Sequence, residues 1–158
     1  ILGKDGYLEK ILSSGFKGIY LDIVDAFEYI EKDKKLRAQQ MANFIRKISH
    51  KAKAQDSEFK IIIQNGTSII HYVSDKDVFF NSIDGAGIED LFFKGDKPHD
   101  NPFRPDPYVL KELEEFSNRK KMILSVEYLK DPKLIKQYQN EIKKYPFIPL
   151  VAVRDLSQ

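Results

Sequence analysis

"GIYLDIVDAFEYI", Gly18 to Ile30, changes character at its middle. The first half is apolar and reads as a buried strand. The second half brings in Asp22, Asp25 and Glu28. The same change recurs along the chain: "KGIYLDI" (17–23), "FKIIIQN" (59–65), "IDGAGIEDLFF" (83–93), "KMILSVEYL" (121–129) and "FIPLVAVRDL" (147–156) are all rich in aliphatic residues and all contain or end in polar ones. Near-continuous Ile, Leu and Val content fits strands covered on both faces.

Helical patterns separate these runs. Residues 7–14 have helical spacing and stop at Gly15, a natural C-cap. Residues 34–54 predict a long amphipathic helix with Leu36, Met41, Phe44, Ile45 and Ile48 on its apolar stripe. Short helices are predicted over 67–73 and 75–81. A polar, proline-rich loop, "KGDKPHDNPFRPDP" (94–107), leads into a helix over 107–119, with Asp106 as N-cap and Pro107 in the first turn. Asp131-Pro132 opens another helix, running to about Lys144. Strands joined through helices imply parallel pairing.

Two parallel architectures compete. A doubly wound sheet carries a glycine-rich phosphate loop after its first strand. The only approach to it, "GAG" at 85–87, lacks the third glycine and the following helix. A (β/α)8 barrel instead builds its site from the C-terminal ends of several strands. Polar residues fall at those ends: Asp22, Asn65, Glu89, Glu127, and Arg154 with Asp155. The expected fold is therefore an α/β (β/α)8 TIM barrel. Five strands do not close one, and such barrels run to about 250 residues. Residues 1–158 are thus expected to be the C-terminal portion of a single domain, strands four to eight, with the N-terminal strands absent.

Composition narrows the chemistry. The 158 residues carry a net charge of +2, without the concentrated basic face of a nucleic-acid binder. The lysines at 32–35 and 51–53 read as solvated helix surface. There is no cysteine, which excludes disulfides and thiolate chemistry. No apolar run reaches the roughly 18 residues of a bilayer span. The chain begins with Ile1, as expected after removal of a leader or for a piece of a longer protein. His50, His71 and His99 show no metal-ligand spacing, and "DKPHD" (96–100) reads as a solvated loop. There is no P-loop and no G-x-S-x-G nucleophile elbow. No cofactor is implied.

Carboxylates remain. Period-two alternation places Tyr20 and Asp22 on one strand face, opposite Ile19, Leu21 and Ile23. Asp22 fits either a functional acid in a cleft or a cap of the following turn, and Asp25 reads more readily as a cap. Glu89 shares parity with Gly85 and Gly87, which leave room for a substrate or for a simple bulge. Glu127 also ends a strand. Asn65 suits a sugar hydroxyl or a turn with Gly66. Two acids in one cleft suit glycoside hydrolysis, one protonated towards the leaving oxygen and the other attacking or activating water. Tyr20, Phe27, Tyr29, Phe92, Phe93 and Tyr128 are candidate stacking surfaces, with most expected in the core.

"GFKGIYLDIVDAFEYI", "IIIQNG" and "IDGAGIEDLFF" together resemble the signature strands of glycoside hydrolase family 114, the endo-α-1,4-polygalactosaminidase-like barrels. The resemblance implies endo-hydrolysis of α-1,4-linked galactosamine polymers, with Asp22 as nucleophile if the enzyme is retaining and Glu89 as acid/base. It implies a substrate-binding or supporting role for Asp25, and Tyr20, Asn65 and Glu127, from their places on and at the ends of strands, are further candidates for binding substrate. The expected partner is a polysaccharide or oligosaccharide, met outside the cytoplasm. The alternative is a non-catalytic carbohydrate-binding or cell-surface protein on the same barrel.

Overall fold

The structure, a computed structural model, describes residues 1–154. They form two compact units, Ile1–Asp84 and one beginning at Gly85.

In the first unit, helix α1 (Tyr7–Ser13) precedes strand β1 (Gly18–Leu21). Ser14 closes the helix, and Gly15 turns the chain at φ +83°. A 3-10 turn (Val24–Tyr29) leads to helix α2 (Lys34–Lys53) and strand β2 (Lys60–Gln64). A second 3-10 turn (Thr67–His71) and helix α3 (Lys76–Asn81) complete it. β1 and β2 pair in parallel from Gly18 opposite Lys60 to Leu21 opposite Ile63. At the unit's end the Asp84 carboxylate accepts from the Ile61 amide at 2.8 Å and pairs with Lys53 at 2.9 Å.

The buried face of α2 is Ala38, Ala42, Ile45, Ile48, Ser49 and Ala52. This corrects the expected stripe, because Leu36 and Phe44 are exposed. Alanines at i, i+4 spacing let the helix pack closely, and a pattern built on large side chains overlooks them.

In the second unit, strand β3 (Gly85–Glu89) is followed by the loop 94–106, helix α4 (Pro107–Asn118), strand β4 (Met122–Tyr128), helix α5 (Pro132–Glu141), a 3-10 turn (Ile142–Lys144) and strand β5 (Ile148–Ala152). β3 pairs with β4 and β4 with β5, both in parallel. Local capping explains where the helices begin. Asp106 accepts from the Tyr108 and Val109 amides at 3.1 and 3.2 Å, and Asp131 accepts from the Lys133 amide at 2.8 Å. Each cap precedes a proline at the helix start, where the missing N–H costs nothing. Tyr138 on α5 is fully buried among Phe92 and Phe93, and its hydroxyl donates to the Ser125 carbonyl at 2.7 Å.

Three strands are shorter than their sequence patterns predict. β1 ends at Leu21, before Asp22, because Ile23 takes a left-handed backbone at φ +59°. Ile23 therefore does not continue the aliphatic face of Ile19 and Leu21; it is 63% exposed. β3 ends at Glu89 because Asp90 turns the chain at φ +52°. β5 ends at Ala152, and Asp155 and Leu156 lie outside the described residues.

Candidate functional site

The strand ends of the first unit carry four of the candidate residues. Asp22 follows β1 directly, is exposed, and its Oδ1 accepts from the Ile23 amide at 2.7 Å. The same turn therefore fixes the backbone and orients the carboxylate. Tyr20 presents an exposed ring from β1. Asp25 is half-buried in the 3-10 turn, where the Tyr29 hydroxyl donates to its Oδ2 at 3.4 Å. The Asp25 charge raises the Tyr29 pKa above its usual value.

Asn65 and Gly66 both adopt left-handed backbone after β2, at φ +52° and +63°. A Cβ on Gly66 would stand 3.0 Å from the Asp25 nitrogen and 3.2 Å from the Val24 carbonyl carbon. Glycine thus lets the turn after β2 lie directly against the turn after β1. The Ser68 hydroxyl donates to Glu28, and Phe27 meets Tyr72 edge-on at 6.0 Å. Asp22, Asp25 and Asn65 are therefore held on turns braced against one another.

The second unit builds a cluster around Glu89. This half-buried carboxylate ends β3 and accepts from the Tyr128 hydroxyl at the end of β4. Burial first, and then Glu89, raise the Tyr128 pKa well above its ordinary value, so the phenol stays a proton donor. The Arg154 guanidinium lies 4.1 Å over the Tyr128 ring and pairs with Asp90. A cation on an aromatic face is attracted by the ring quadrupole. Arg154, Tyr128 and Asp90 thus surround the strand end that bears Glu89.

Glu127 has a different place from the one expected of a substrate contact. It is fully buried, and its carboxylate accepts from the Phe92 and Phe93 amides at 2.7 and 3.2 Å. Burial pushes its pKa up to about 7, against the pull of those amides. Its geometry is that of an anchor for the segment just after Glu89. The stacking candidates also divide. Tyr20 and Tyr29 are exposed, whereas Phe27, Phe92, Phe93 and Tyr128 are buried.

Sequence reasoning named Tyr128 only as an aromatic and Arg154 only as a polar strand end. Their link to Glu89 and Asp90 spans 39 and 64 residues, respectively. The signal available was that both fall at strand ends, as Glu89 does. The loop at 94–106 is also more ordered than a solvated reading implies. Asp100 accepts from the Lys130 and Asp131 amides at 2.8 and 3.0 Å, and these hold its carboxyl below the usual range.

The model of glycoside-hydrolase family GH114 matches residues 4–158. The chain belongs to this family. Among curated proteins, it is 30% identical to an uncharacterized protein of Thermotoga maritima, with 95% of this chain and 49% of that one covered. It is 32% identical to the uncharacterized protein MJ1477 of Methanocaldococcus jannaschii, over 94% and 45%. The chain thus spans about half the length of the curated relatives it matches. The glycoside hydrolase domain of PelA from Pseudomonas aeruginosa shares its fold, with a TM-score of 0.68 at 14% identity, over 96% of this chain and 58% of that domain. No helix among the described residues is long and apolar enough to cross a membrane.

Proposed function

We propose that this family 114 chain supplies the catalytic carboxylates of an endo-acting hydrolase of α-1,4-linked galactosamine polymers. Asp22 is the nucleophile that attacks the anomeric carbon. Glu89 first protonates the leaving oxygen and then deprotonates the incoming water, so the sugar's configuration is retained. Tyr20, Asp25 and Asn65 bind the substrate from the turns after β1 and β2, and Glu127 acts from beneath by holding the segment after β3. The five strands are strands four to eight of a (β/α)8 barrel. A polymeric substrate favours action outside the cytoplasm.

The observation that carries this reading is the family match along residues 4–158. The strand-end positions of Asp22 and Glu89 agree with it. One observation favours a second reading, a carbohydrate-binding protein without catalysis: the Asp22 Oδ1 is already engaged by the Ile23 amide.

Incubating the intact protein with a panel of amino-sugar polymers separates the two. Hydrolysis releases shorter oligomers detectable by mass spectrometry, and Asp22→Asn and Glu89→Gln each lower the rate by about 10²–10⁴-fold while leaving the fold intact. Binding with no released oligomers supports the second reading. An undiminished rate in either variant removes that residue from the mechanism.

A further inference from the structure

The loop 94–106 has no role in the chemistry above, yet it is built as a rigid structure. Loops of more than about 12–15 residues without regular structure are usually either functional or disordered, and this one is pinned at both ends. The Arg104 amide donates to the Phe92 carbonyl at 2.7 Å and the Asp106 amide to the Leu91 carbonyl at 3.0 Å. Phe93 and Phe103 form an antiparallel bridge with their rings 5.3 Å apart. Inside the loop, the Asn101 side chain accepts from the Lys97 amide at 3.0 Å and donates to its carbonyl at 2.9 Å. Gly95 permits this bracing, since a Cβ there would lie 2.5 Å from the Asn101 Oδ1. Pro98, Pro102 and Pro105 each fix a further backbone angle.

Beside this frame lies a depression of about 480 Å³, lined by Lys94, Asp96, Arg104, Pro105, Asp106 and Tyr108. Pockets of a few hundred Å³ are the size at which small ligands are held. Tyr108 is 80% exposed. The α4 helix buries Leu113 and Phe116 but leaves this ring in water, although a tyrosine gains from covering its apolar body while its hydroxyl stays wet. Lys94 and Asp106 neutralise each other at 2.6 Å. Arg104 adds donors and Asp96 acceptors, so the depression has little net charge and both kinds of hydrogen-bonding group around one aromatic face.

We infer that this depression is a saccharide subsite, in which a sugar ring stacks on Tyr108 and its hydroxyls are read by Arg104 and Asp96. This deepens the proposed hydrolase reading and rests on it for the identity of the ligand. The loop hangs from Leu91 and Phe92, in the segment that directly follows the strand end bearing Glu89. Near-neutrality of the depression suits a hydroxyl-rich unit whose amino group is acetylated.

The test uses partly N-acetylated α-1,4-galactosamine oligosaccharides as the probe, titrated into isotope-labelled protein. Backbone amide shifts are expected at 94–96 and 104–109, and Tyr108→Ala should weaken this binding roughly ten- to thirtyfold with an unchanged fold. Glu89→Gln should bind at the same loop as the unaltered chain. Shifts confined to other residues, no binding, or an unchanged affinity in Tyr108→Ala overturn the subsite. The two readings fail separately. Saturable binding at this loop without released oligomers leaves the subsite standing and ends the hydrolase assignment. Hydrolysis with the same KM in Tyr108→Ala does the reverse.

Discussion

Replacing Glu127 with Gln isolates one buried charge and gives it a pH signature. In the folded chain, burial lifts the carboxyl from its ordinary 4.5 to about 7, and the Asp90 charge adds to the effect, while the Phe92 and Phe93 amides oppose it. The folded state therefore holds the proton more tightly than the unfolded state. Its contribution to stability is complete below pH 4.5 and is lost as pH rises through about 7. At about 1.4 kcal/mol for each tenfold in proton affinity, the loss is on the order of 3 kcal/mol. Carboxylates whose shift runs the other way, such as Asp100 held low by the Asp131 and Lys130 amides, lose their contribution only on acidification and leave this window clear. Gln does not titrate, so the variant should lack the fall in stability seen in the parent. Urea unfolding followed by far-UV circular dichroism, in steps from about pH 5 to pH 8, measures the difference in slope and is unaffected by any constant cost of the substitution. Parallel curves for the two proteins would refute the argument.

Three further outcomes are expected. Gly66→Ala combines a left-handed backbone with a Cβ 3.0 Å from the Asp25 nitrogen and should cost about 2 kcal/mol or more, read as a lowered Tm. Asp106→Ala removes the cap of α4 and the partner of Lys94, with an expected loss of about 1–2 kcal/mol in urea unfolding. Tyr128→Phe deletes the hydroxyl that donates to Glu89 while keeping the ring under Arg154. If Glu89 is the acid/base, this should lower kcat about tenfold with KM little changed, and steady-state hydrolysis kinetics on the polymer give both constants.

What could be read from the sequence was what depends on neighbours along the chain. Asp106-Pro107 and Asp131-Pro132 open helices because cap, proline and first amides lie within four residues, so the pattern and the contact coincide. The alternation of strand and helix was legible for the same reason. Strand lengths were not, because Ile23 adopts a left-handed backbone that a β-branched side chain disfavours, and Asp90 one that aspartate tolerates without requiring. The face of α2 was read correctly at Ile45 and Ile48 but not at Leu36 and Phe44, because Ala38, Ala42 and Ala52 share the packing without a strong apolar signal. Among the candidate site residues, Glu127 shows the limit most clearly. Its position at a strand end suggested contact with substrate, but its amide partners lie 34 and 35 residues earlier in the chain. Parity along a strand cannot reveal such a pairing.

Ile23 sets backbone comfort against the placing of a carboxylate within a single residue. A branched side chain in a left-handed bend is an uncomfortable choice, and glycine there would relax the torsion by about 1–2 kcal/mol. Yet the amide of this bend grips the Asp22 carboxylate, and a slacker hinge would let that oxygen wander. Directed evolution for heat resistance should therefore drift towards glycine at this position, and isoleucine should be kept under selection for turnover only if Asp22 is the nucleophile, which makes the residue chosen here a readout of the two readings.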